Sequence, residues 1–154
     1  MKNFFKNQKG MTLLEILVVI AVLGILLSIV LPQFSKIKEN QVLKNAVEDV
    51  MSVLRSAESQ SLASMNSSEY GVHFQSDQVI LFKGKTFSIG AADNKITNII
   101  LPASISNVTL AGISANTGDV YFERLSGVPS KIGIITISTS SVGPSRRFTM
   151  LVKL

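Results

Sequence analysis

Nineteen consecutive residues, Leu13 to Leu31 (LLEILVVIAVLGILLSIVL), carry a single charge, Glu15. As an α-helix rising about 1.5 Å per residue, this run spans close to 30 Å, the thickness of a bilayer core. The ten residues before it, MKNFFKNQKG, hold Lys2, Lys6 and Lys9 and no acid. Lysines ahead of the run and a translocated chain after it follow the positive-inside rule. The expected topology is a single pass of the cytoplasmic (inner) membrane, with the N-terminus cytoplasmic and the C-terminal part periplasmic or extracellular. A secretory signal peptide is one reading, but it calls for a small-x-small cleavage site after the apolar run. The run ends Ser28-Ile29-Val30-Leu31-Pro32-Gln33 and offers none. A plain anchor is a second reading, and it leaves Glu15 without a reason. A carboxylate in a membrane segment costs up to roughly 3 kcal/mol near the helix centre and is expected to have a partner.

Composition narrows the rest. The chain has 154 residues, enough for one domain of ordinary size, and is 46% hydrophobic and 16% charged, too apolar for a disordered chain. It has no Cys, which excludes disulfides, Cys-ligated metals and Cys nucleophiles, and a single His, which excludes a multi-His metal site. The net charge is +5, but three of the basic residues belong to the first ten, so the excess says little about a nucleic-acid partner.

Lys9-Gly10-Met11-Thr12-Leu13-Leu14-Glu15, followed by an unbroken apolar helix, resembles the N-terminus of type IV pilins and of the pseudopilins of type II secretion. The resemblance implies that a prepilin peptidase cuts between Gly10 and Met11, on the cytoplasmic side, and that Met11 is then N-methylated. Glu15 becomes the fifth residue of the mature chain, the position the family reserves for Glu. Met at the first mature position is a variant of the usual Phe. Gly24 and Pro32 match positions where the family's helix breaks or loosens in assembled filaments. The physics fits. A glycine lets a protease approach the backbone closely. The new amine at Met11 and the Glu15 carboxylate are each costly in hydrocarbon and much less so when paired between neighbouring subunits.

Beyond Pro32 the pattern becomes amphipathic: Leu43, Val47, Val50, Leu54 and Ala57 step along one helix face. The helix should reach about Ala63 and break at Asn66-Ser67-Ser68. Strands are expected at Tyr70–Phe74 and Gln78–Lys83, joined as a hairpin, then at Thr86–Ile89, Ile96–Leu101, Asn107–Ala111, Asp119–Arg124, Lys131–Thr139 and Arg146–Leu154. The fold class is α+β, a long N-terminal helix packed against a C-terminal antiparallel sheet. The expected parts are a leader over 1–10, a transmembrane and filament-core helix over 11–31, an amphipathic continuation over 32–65 and a β-rich part over 66–154. This order of elements resembles the GspH/FimT branch of minor pseudopilins and minor pilins. The major pseudopilin usually carries a calcium site, and Asp93, Asp119 and Glu123 lack ligand-loop spacing.

No catalytic, metal or cofactor motif emerges. His73, alone in a strand, reads as a surface or edge residue and has no base-and-acid company in sequence. From Arg124 onward five residues are basic and no side chain is acidic. Arg146 and Arg147, after a Gly-Pro turn, and Lys153 are candidate phosphate contacts for DNA. The favoured reading of this patch is a charged edge strand that resists aggregation. The chain therefore reads as a structural subunit and not an enzyme. Its expected partners are the prepilin peptidase, sibling pilin or pseudopilin subunits, an inner-membrane assembly platform and membrane lipid. The rival readings are a DNA-binding minor pilin and a non-assembling membrane-anchored β domain.

Overall fold

The computed structural model describes residues 12–139 and 147–152, and of 31–36 and 147–152 it describes the backbone alone. The chain divides into two compact units, Met1–Lys38 and Glu39–Leu154. A single helix, α1, runs Leu13–Leu62 without interruption through Gly24 and Pro32. The loosening expected at those two residues concerns assembled filaments, whereas this helix is that of a single chain.

In the first unit, Leu13–Val30 has a mean hydropathy of 3.0 and no buried residue. It is long and apolar enough to cross a bilayer.

In the second unit the amphipathic half of α1 packs on a β domain. The expected stripe is buried at Leu43, Val50, Leu54 and Ala57, is joined by Ala46 and Val53, and has Val47 on its half-buried flank. The helix ends before a tight turn, Met65–Ser67, where Asn66, Ser67 and the preceding Ser64 take left-handed backbone angles. The strands are β1 (Tyr70–Phe74), β2 (Gln78–Lys83), β3 (Lys95–Asn98), β4 (Ala103–Leu110), β5 (Ile113–Ala115), β6 (Gly118–Phe122), β7 (Gly133–Thr139) and β8 (Arg147–Val152).

They form two four-stranded antiparallel sheets, β3-β2-β1-β6 and β5-β4-β7-β8, and not one. Side-chain alternation explains how both sheets serve one core. In the first, Val72 faces Leu81 on one side and Val120 on the other, with Phe74 and Phe122 on the same buried face. In the second, Ile105 pairs with Ile137 and Val108 with Ile135. A bulge between Ile105 and Asn107 inserts one residue, so both Ile105 and Val108 point inward despite their odd spacing.

Three strands differ from the sequence-based expectation. Thr86–Ile89 is not a strand. Phe87 instead turns onto the outer face of the first sheet, stacking on His73 at 3.9 Å and meeting Phe82 edge-on at 5.7 Å. That contact helps to bury Phe82, which lies with Ile80 on the outer face. The strand expected at Ile96–Leu101 is β3 and stops at Asn98, because Ile99 turns inward and donates its N–H to the Asp77 carbonyl at 2.8 Å. β5, all exposed, was not expected. The turn at Ala111-Gly112, both at positive φ, folds it back on β4.

Candidate functional site

The features singled out in the sequence cluster at the start of α1. Thr12 lies immediately before the first helical residue, and its Oγ1 accepts the Glu15 N–H at 3.2 Å while its carbonyl accepts the Ile16 N–H at 3.2 Å. Thr12 is thus an N-cap that satisfies one of the helix's orphan donors. Glu15 occupies the third helical position. Thr12-Leu-Leu-Glu15 is the spacing of a capping box, a signal present in the sequence and overlooked there. An acid in the first turn also suits the positive end of the helix dipole. The cap, three residues before the acid, therefore fixes where the helix begins.

Glu15 is exposed and makes no ion pair with any described residue. Gly24 has open space around it: a Cβ built there meets nothing within 4 Å. Packing within this chain therefore does not demand a glycine at that position. Gly10, Met11, Arg146 and Lys153 lie outside the described residues, as does the Gly-Pro turn before Arg146. Pro32 and Arg147 are placed by their backbone only, Pro32 within α1 and Arg147 at the first position of β8, opposite Ser138.

His73 is not at an edge. β1 is flanked by β2 and β6, and the imidazole is mostly covered. Its Nδ1 meets the Asp119 carboxylate, and its Nε2 lies 3.1 Å from the Gln75 amide nitrogen. This arrangement suits an imidazole that carries its proton on Nδ1, donates it to Asp119 and accepts from Gln75. Among the described residues no Ser or Thr hydroxyl bonds to the ring, which is occupied in holding Phe87 over the sheet. Nothing local in the sequence marks this pair, because Asp119 reaches His73 only through the β1–β6 register. Among the described residues no group of three or more His, Asp or Glu side chains is placed to hold a metal ion.

The comparisons with known proteins point to the same end of the chain. Residues 5–31 match the prokaryotic N-terminal methylation motif. A fimbrial protein of Pseudomonas aeruginosa is 31% identical over 108 residues, which cover 65% of this chain and 70% of that protein. The prepilin peptidase-dependent protein A of Clostridium perfringens is 27% identical over 121 residues, 78% of this chain and 68% of that protein. The type II secretion system core protein G of Pectobacterium carotovorum is 48% identical over 47 residues, 30% of each chain. No solved structure matches the chain significantly. A methylation motif, a capped apolar helix with one acid in its first turn and an α+β body agree with these relatives, and the chain belongs to the type IV pilin-like and pseudopilin family.

Proposed function

We propose that this protein is a prepilin-like structural subunit of a type II secretion pseudopilus or a type IV pilus. A prepilin peptidase cuts between Gly10 and Met11, and Met11 is N-methylated. Leu13–Val30 then holds the subunit in the membrane, with the β domain on the far side, until an inner-membrane assembly platform passes it into a filament. The order of elements, a long helix followed by the β1–β2 hairpin and then β6 and β7, supports a place in the GspH/FimT branch.

The observation that carries this reading is Glu15. It is the single acid in an 18-residue apolar helix segment, and no described residue neutralises it. In hydrocarbon such a carboxylate calls for an external cation. The amine freed at Met11 of a neighbouring subunit has the matching charge, and the pairing would set the axial stagger between subunits. Gly24 adds to this. A glycine that its own chain does not require leaves room for a second helix to approach closely, which is how helices associate in the absence of water.

Two measurements test the proposal. The mature protein's N-terminal sequence should begin at a methylated Met11, and a start after residue 31 would make the apolar run an ordinary signal peptide. Glu15→Val should be inserted and cleaved normally, since the segment only becomes more apolar, yet be lost from sheared filaments. Normal assembly of that variant would refute the pairing.

A further inference from the structure

A polar cleft of about 460 Å³ opens where the end of α1 and the 65–67 turn meet β1, β2 and β3. That volume lies within the range of small-molecule sites. Strand register builds its floor. Tyr70 is paired with Lys83 and Leu81 with Lys95, and alternation along β2 puts all four on one face of the sheet. Farther along, the same face is sealed by α1; here the helix has ended at Leu62 and the face is open.

The lining has a definite chemistry. Lys83 and Lys95 both border the cleft, and neither makes an ion pair with a described residue. Tyr70 is 5% exposed, and its hydroxyl accepts a hydrogen bond from the Asn66 amide at 3.0 Å. Its own O–H finds no acceptor among the described residues, although a buried phenol normally has one. Asn66 presents its amide from a left-handed turn in which Ser64 and Ser67 are left-handed too. Backbone strain of this kind in non-glycine residues collects at ligand-binding turns. The Gln60 amide nitrogen is bonded to Ser56 at 2.9 Å, so its carbonyl oxygen is left to accept. Met65 and Leu81 contribute apolar surface, and Asp93 contributes one carboxylate.

We propose that this cleft binds an acidic saccharide, a pyranose bearing one carboxylate. The two ammonium groups hold the carboxylate by charge-assisted hydrogen bonds. The Tyr70 hydroxyl, the Gln60 and Asn66 amides and the Asp93 carboxylate satisfy the sugar's hydroxyls. The C–H face of the ring lies against Leu81 and Met65. Asp93 sets the specificity. Its carboxylate accepts from a hydroxyl and repels negative charge set against it, which disfavours a compact anion such as phosphate, with charge spread over its oxygens, relative to a ring whose one carboxylate faces the lysines. This site is independent of the filament reading and stands or falls separately from it.

The test uses the full chain in detergent micelles and saturation-transfer NMR. The ligands are galacturonate and galactose, with inorganic phosphate as a competitor. Galacturonate should bind about tenfold or more tightly than galactose, since the neutral sugar forgoes the charged contacts. Phosphate at equal concentration should not displace it. The K83Q/K95Q double variant should weaken galacturonate at least about tenfold with an unchanged thermal midpoint, because both side chains are solvent-facing. K131Q, outside the cleft, should bind as the wild type does. Equal binding of galactose and galacturonate, displacement by phosphate, or no saturation transfer from the wild type would each overturn the proposal, whatever the fate of the double variant.

Discussion

Leu54→Ala is the sharpest test of how the β domain is held together. Among the described residues, every member of the buried core lies between Leu43 and Ile137, and Glu39–Leu154 is a compact unit by itself. A fragment over 39–154 should therefore fold without the apolar helix. Leu54 is 8% exposed on the helix face that both sheets cover. The substitution removes three carbon atoms. At about 0.8 kcal/mol for each buried methylene the transfer loss is roughly 2.4 kcal/mol. The cavity left behind adds to it, and buried Leu→Ala changes span about 2–5 kcal/mol. We expect about 3 kcal/mol, a fall in Tm of roughly 10–15 °C for a unit of this size. Urea unfolding followed by tyrosine fluorescence reads it directly, since the chain has two Tyr and no Trp and Tyr70 sits in the same core. Arg55→Ala, one residue away and exposed, should stay within about 0.5 kcal/mol of the wild type. A loss below about 1 kcal/mol at Leu54, or a fragment that unfolds without cooperativity, would show that the sheets do not seal this face.

The remaining predictions concern the joints of the fold. Gly133→Ala should destabilise the fragment by roughly 1–3 kcal/mol, because a Cβ there overlaps the Thr109 carbonyl oxygen across the β4–β7 pair; an unchanged urea midpoint would refute that close approach. Ser61→Ala should cost roughly 1–3 kcal/mol and speed hydrogen exchange at Tyr70. The Ser61 side chain is fully buried and its Oγ accepts the Tyr70 N–H at 2.9 Å, tying the end of α1 to the start of β1; unaltered exchange at that amide would refute the tie.

What the sequence disclosed and what it withheld divide along a physical line. The anchor, the acid at Glu15, the amphipathic stripe from Leu43 to Ala57 and the β1–β2 hairpin are each written in residues a few positions apart. Helix pitch, strand alternation or membrane thickness converts such spacing directly into structure. The Thr12 cap belongs to the same class, because Thr12 and Glu15 are three residues apart. The errors arise wherever a residue's fate depends on a distant partner. β1 takes β6 as its second neighbour, and this choice moves His73 from an edge to the interior and brings Asp119 against it. Thr86–Ile89 has strand-like residues, but the outer face of the first sheet needed a cover, and Phe87 supplies it. β5 has no buried side chain and hence no pattern to read. The cleft is the extreme case: Gln60, Tyr70, Lys83 and Lys95 come from four elements and share no motif. The division matches the proposed roles. A peptidase and a membrane meet the N-terminal segment as a linear stretch, so its chemistry must be local and legible. A ligand cleft is met only by the folded chain, and its residues need no order in sequence at all.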